Sequence, residues 1–316
     1  MEFTHLIDLA SERVGGAAIL ANDEFFAPKE NLVRLERPVW REGEYTERGK
    51  WMDGWETRRR REPGYDWCVV QLGLPGVIHG MVVDTSYFTG NYPEACSLEA
   101  RAEDGTWCEI LSRRPLEGNA ENLFSIEPVA RYTHVRLNIY PDGGVARLRV
   151  FGVPAAVEGA VAPGSDIDLA APENGGHVVD ASDRHYGNPQ NMLLPGDPLG
   201  MYDGWETRRR RGPGHDWAVV RLGAMGRVHR IVVDTRFFKG NAPGECSVDY
   251  CDVLEPLPAP DADWRELLPR AALRADEVHE FEWDVGETAP ATHLRLNIHP
   301  DGGVARFRAF GIVEGE

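Results

Sequence analysis

Residues 135–152 read VRLNIYPDGGVARLRVFG, and residues 294–311 read LRLNIHPDGGVARFRAFG. In the first copy Val135, Leu137 and Ile139 alternate with Arg136, Asn138 and Tyr140. Leu148 and Val150 likewise oppose Arg147 and Arg149. A period of two is that of a strand with one covered face. The two copies share 14 of 18 residues at an offset of 159, so the chain is written twice. Other blocks repeat as well. DGWETRRRREPGYDW at 53–67 returns as DGWETRRRRGPGHDW at 203–217, and VVDTSYFTGNYPEACS at 82–97 as VVDTRFFKGNAPGECS at 232–247. IDLASERVGG at 7–16 returns as IDLAAPENGG at 167–176.

The offset runs from 160 to 150 to 159, which locates two insertions. One lies before Asp53 in the first copy and one after Cys246 in the second, around EPLPAPDAD. Both are rich in charge or proline and read as surface loops. The expected domains are 1–153 and 165–316, with PAAVEGAVAPG at 154–164 as linker. Each half is long enough for its own core. The runs at 66–73, 77–86, 96–102, 133–140 and 146–152 are short, rich in β-branched residues and bounded by Gly, Pro, Asn or Asp. The expected class is all-β, two tandem antiparallel sandwiches. PDGG at 141–144 reads as a hairpin turn between its flanking strands.

The chain has 316 residues, 42% hydrophobic and 27% charged, which is ordinary for a globular protein and excludes disorder as its main state. The net charge of −17 argues against nucleic acid and anionic membranes as partners. No apolar run approaches the roughly 18–20 residues that span a bilayer, and the N-terminus does not read as a signal peptide. Five cysteines without a CxxC pair fit a reducing, cytoplasmic setting.

Fingerprints for nucleotide loops, zinc proteases and serine hydrolases are absent from the sequence. Cys96 and Cys246 stand in register and read as small core residues. The first candidate for chemistry is DGWETRRRR, with Asp53, Glu56, Arg58 and Arg59, repeated as Asp203, Glu206, Arg208 and Arg209. Guanidinium forks suit carboxylates and carbonyl-rich ligands. If the segment is extended, Glu56 projects near Arg58. The plainer alternative is a solvated ion-pair ladder over a packed Trp. Both copies keep the charges while the surrounding loops diverge in length, which weakens that alternative.

The second candidate is NIYPDGGVAR with NIHPDGGVAR: Asn138, Asp142 and Arg147, then Asn297, Asp301 and Arg306. A turn with a cross-hairpin pair is its structural alternative. The third is the pair Asn91 and Asn241, whose amides suit a urea-like group. Histidines divide unequally, with three in the first half and seven in the second. His185, His215 and His299 stand where the first copy has Phe25, Tyr65 and Tyr140. An imidazole titrates near neutral pH and binds metals, which Phe cannot do. Unequal roles for the halves follow as an expectation.

These three paired blocks resemble the allantoicase family, over nearly the whole chain and including the duplication. The resemblance implies two tandem jelly-roll domains of the galactose-binding or discoidin-like kind. It implies hydrolysis of allantoate to ureidoglycolate and urea, in purine (ureide) catabolism. Allantoate carries one carboxylate and two ureido arms on one carbon. Arginine suits the carboxylate; Asp, Glu and Asn suit the arms. Two like arms and two like halves suggest a site near the junction of the repeats. Glu206, His215 and Asp301 are the expected acid–base residues. The expected substrate-binding set comprises Asp53, Glu56, Arg58, Arg59, Asn91, Asn138, Asp142 and Arg147 in the first half. In the second half it comprises Asp203, Arg208, Arg209, Asn241, Asn297, His299 and Arg306. No metal ligand is assigned, and a divalent ion that polarises the ureido carbonyl stays open. A homo-oligomer is compatible with the sequence. The rival readings are a non-catalytic jelly-roll ligand-binding module and a hydrolase of a related ureide.

Overall fold

The computed structural model describes residues 2–156 and 161–315. It divides into two compact units, Met1–Val153 and Pro154–Glu316. Residues 157–160 of the expected linker lie outside the described residues. Each unit is a β-sandwich of jelly-roll type, and helical structure among the described residues is confined to short 3-10 turns. No described helix is long and apolar enough to cross a membrane.

Each sandwich is organised by one long strand of 19 residues, Asp66–Asp84 or Asp216–Asp234. In the first unit its front half pairs with Ala17–Ala21 on one side and Arg131–Tyr140 on the other. Its back half pairs with Glu121–Ser125 and neighbours Arg147–Pro154. One strand thus runs through both layers. The sequence pattern alone predicts two strands, at 66–73 and 77–86. The structure joins them through an irregular stretch, where the register against Arg131–Tyr140 jumps from Gln71 to Gly76. Extra residues of this kind bend a strand without ending it. The edge strands Ala17–Ala21, Trp107–Pro115 and Glu121–Ser125 were not read from the sequence.

The alternation read from residues 135–152 holds. Val135, Leu137, Ile139, Leu148 and Val150 are fully buried. In the second unit Leu294, Leu296, Ile298, Phe307 and Ala309 take those places beside Val220 and Trp205. Each large side chain so buried stabilises the fold by about 1.5–3 kcal/mol before entropy is counted.

One local expectation fails. PDGG is not a hairpin turn, because Arg131–Tyr140 and Arg147–Pro154 are not neighbours; both flank the long strand. The chain crosses between layers there, and Gly144–Val145 pairs with Trp55–Glu56 instead. Gly303–Val304 pairs likewise with Trp205–Glu206. The two insertions are mostly exposed loops, as expected, and the first holds a small hairpin, Tyr45–Thr46 with Gly49–Lys50.

Candidate active site

In each unit four chain segments close onto one cluster. The buried Trp55 and Trp205 anchor it. Their indole N–H groups donate to the carbonyl oxygens of Asp23 and Asp183, at 2.8 and 2.9 Å. Truncating such a tryptophan to alanine costs about 3–5 kcal/mol. The Thr57 and Thr207 hydroxyls accept from the N–H of Gly143 and Gly302, at 3.1 and 3.0 Å. The next N–H groups, of Gly144 and Gly303, donate to the carbonyl oxygens of Asn91 and Asn241, at 2.7 and 2.8 Å. Gly143 and Gly302 have φ of 139° and 136°, and a Cβ there would stand 2.7 and 2.6 Å from those same oxygens. Side chains are excluded by both backbone and space, which explains the repeated PDGG.

On this frame Glu56 Oε1 accepts from Asn91 Nδ2 at 2.7 Å, and Glu206 Oε1 from Asn241 Nδ2 at 2.6 Å. The second and third sequence blocks therefore meet the first. Burial pushes the Glu56 carboxyl above its ordinary value, against the opposing hydrogen bond from Asn91. Glu56 does not pair with Arg58. Arg58 Nε lies 2.6 Å from Asp23 Oδ2, and Arg208 Nε 2.7 Å from Asp183 Oδ2. Asp142 and Asp301 each accept a backbone N–H, from Arg60 at 2.8 Å and Arg210 at 2.7 Å. The guanidiniums of Arg60 and Arg210 turn to the buried Asp66 and Asp216. Arg59 and Arg209 are exposed and have no hydrogen-bond or ion-pair partner among the described residues. In the second unit these groups border an open hollow of about 300 Å³, lined by Ser182, Asp183, Arg208, Arg209, Arg210 and Asp216.

Beside the cluster the outward row of Arg131–Tyr140 carries polar side chains. Asn138 is 3% exposed, and its amide nitrogen donates to Ser97 Oγ at 3.1 Å and Glu99 Oε2 at 2.9 Å. Asn297 donates in the same way to Ser247 Oγ at 3.2 Å and Asp249 Oδ2 at 2.8 Å. The units then diverge. Tyr65 and Tyr140 meet in the first at a tilt of 43° with ring centroids 5.1 Å apart, and the Tyr140 hydroxyl lies 3.0 Å from Ser97 Oγ. In the second unit His215 and His299 take their places at 4.6 Å. His215 Nε2 lies 3.2 Å from Asn297 Oδ1, and His299 Nε2 3.3 Å from Ser247 Oγ. Burial first, then the Arg270 guanidinium and the His215 ring, hold His299 below the usual imidazole range.

Four of the expected ligand-binding residues, Asp53, Arg147, Asp203 and Arg306, lie buried in two ion pairs. Arg147 is 2% and Arg306 3% exposed. Arg147 Nη2 pairs with Asp53 Oδ2 at 3.0 Å, and its remaining nitrogens donate to the carbonyls of Glu36, Asp53 and Ala146. Arg306 pairs with Asp203 Oδ2 at 2.5 Å and donates to the carbonyls of Gly196, Asp203 and Ala305. Asp53 and Asp203 also receive the N–H of Val39 and Leu199. These pairs are internal braces. The polar face of Arg147–Pro154 is covered by the preceding loop, which strand periodicity does not reveal.

Residues missed in the sequence are Asp23, Asp183, Asp66, Asp216, Ser97, Ser247, Glu99 and Asp249. Asp23 and Asp183 stand 160 apart, the offset of the N-terminal block, and that spacing was the available signal. Cys96 and Cys246 are fully buried and their thiols are pushed up to about 12 by burial, which makes them core residues and not nucleophiles. Among the described residues no three His, Cys, Asp or Glu side chains converge as a metal site would need.

The family description Allantoicase repeat matches residues 7–155 and again 167–314. A probable allantoicase of Photobacterium profundum is 46% identical over 98% of both chains. One of Pseudomonas paraeruginosa is 47% identical over 98% of this chain and 96% of its own. The crystal structure of allantoicase from Saccharomyces cerevisiae aligns with a TM-score of 0.78 at 35% identity, covering 98% of this chain and 96% of that one. The chain therefore belongs to the allantoicase family.

Proposed function

We propose that this chain hydrolyses allantoate to ureidoglycolate and urea. The observation that carries the reading is the 46–47% identity, over 98% of the chain, to relatives named probable allantoicase. The geometry of the second unit supports the following roles. Arg208 and Arg209, at the rim of the hollow, hold the substrate carboxylate. Asn241 and Asp301 hold ureido N–H and carbonyl groups. His215 takes a proton from water as the water oxygen bonds to the central carbon. Glu206 gives a proton to the departing ureido nitrogen as the C–N bond breaks, so urea leaves neutral. The matching first-unit set, Glu56, Arg58, Arg59, Asn91, Asn138 and Asp142, binds without supplying the imidazole. Five free thiols fit a cytoplasmic setting, and a net charge of −17 speaks against nucleic acid as a partner.

The test is urea release from allantoate by purified protein, before and after chelator treatment. Release in both states is the expected result. Loss with chelator, restored by a divalent ion, would add a metal to the site. No urea under any condition would sink the reading and favour a ligand-binding module. Faster turnover of another ureide would change the substrate and keep the chemistry.

A further inference from the structure

The second unit contains a chain of hydrogen bonds whose proton positions can be deduced. It begins at Asp249, whose carboxylate receives Arg295 Nε at 3.1 Å and Nη2 at 2.8 Å. A carboxylate held by a guanidinium only accepts hydrogen bonds. The side-chain amide of Asn297 lies 2.8 Å from Asp249 Oδ2. The atom facing Asp249 must therefore be the amide nitrogen, since a flipped amide would set two acceptors together. Asn297 Oδ1 is then turned to His215 Nε2 at 3.2 Å. An amide oxygen also only accepts, so Nε2 must carry the hydrogen. The lone pair of neutral His215 is left on Nδ1, which has no partner among the described residues.

The first unit builds the same chain and leaves it unfinished. Arg136 grips Glu99 at 2.6 and 2.5 Å, and Glu99 receives Asn138 Nδ2 at 2.9 Å. Asn138 Oδ1 is buried with no partner, because Tyr65 stands where His215 would donate. A buried acceptor without a donor is costly. The amide orientation there is set by the carboxylate and not by what lies beyond it.

We propose that Asp249 and Asn297 are positioning residues that fix His215 in the Nε2–H tautomer, so that Nδ1 is the atom that takes the proton from water. The inference rests on the reading of His215 as base. A wrong tautomer at a catalytic imidazole costs up to about 10⁴ in kcat where the same logic operates.

The experiment is imidazole 15N NMR of the full chain together with allantoate turnover. Wild-type His215 should show a protonated Nε2 and a bare Nδ1. Asp249→Asn keeps the shape but can donate, which frees the amide to flip. It should mix the tautomers and lower kcat by about 10²-fold or more, with a smaller change in KM. Asp249→Glu installs the carboxylate of the first unit and should restore both signals. A protonated Nδ1 in the wild type would overturn the proposal without any variant, so a folding failure of Asp249→Asn does not shield it. A folded Asp249→Asn with unchanged tautomer and kcat would overturn it too. Full turnover in His215→Gln would instead overturn the reading of His215 as base, whatever the tautomer.

Discussion

The loop ends of the two units share a frame and differ in their chemistry. Trp55 and Trp205, Thr57 and Thr207, and the Glu56–Asn91 and Glu206–Asn241 pairs correspond contact for contact. The units differ where Tyr65 and Tyr140 are replaced by His215 and His299, and also where Phe25 gives way to His185 and Glu99 to Asp249. An imidazole offers a lone-pair nitrogen as proton acceptor beside an N–H donor, and at this place only the second unit carries one. Duplication kept the frame in both copies and placed an imidazole pair in one.

The strongest way to break this comparison is to exchange the rings. His215→Tyr should lower kcat for urea release by about 10²–10⁴, while Tyr65→Phe should lose less than about tenfold. Equal losses would return the chemistry to both units. The braces should behave alike. Arg147→Met and Arg306→Met each remove the buried guanidinium that braces a buried aspartate and should each cost about 3–5 kcal/mol in denaturant unfolding. A clear inequality would show that the frames are not equivalent. Glu56→Gln and Glu206→Gln should separate in kcat, with about a 10²-fold loss for Glu206 and a smaller one for Glu56. Equal losses with unchanged fold would count against the division of roles.

The smallest effect concerns acid stability. Burial lowers the imidazole pKa of His177, His293 and His299 in the second unit, and of His79 and His134 in the first. A depressed histidine favours the fold while neutral. That contribution is full above the unfolded value of about 6.5 and is lost as pH falls below it. Denaturation midpoints at pH 7.5 and 5.5 should therefore drop more for the second unit. His177→Ala, the residue the first unit carries as Ala17, should narrow the gap. No narrowing would remove His177 from the account.

The sequence by itself determined the duplication, the strand class and the membership of the charged blocks. These are properties of local period and of repetition at a fixed offset. It also showed where the halves differ, because Tyr65 against His215 is visible in two aligned lines. It did not determine which charges are braces. Arg147 and Arg58 look equally available in the chain, yet one is sealed under the preceding loop and the other is exposed. PDGG looked like a hairpin because Asp-Gly turns are local. Its partner, Trp55–Glu56, is brought there by the long strand's passage through both layers. Glu99 and Asp249 carry no signal of their own, because nothing in a strand's own sequence names its neighbour across the sheet. Only the tertiary structure sets Asp249, Asn297 and His215 in line, since strand register and burial join residues far apart in the chain. That line decides which nitrogen bears the proton.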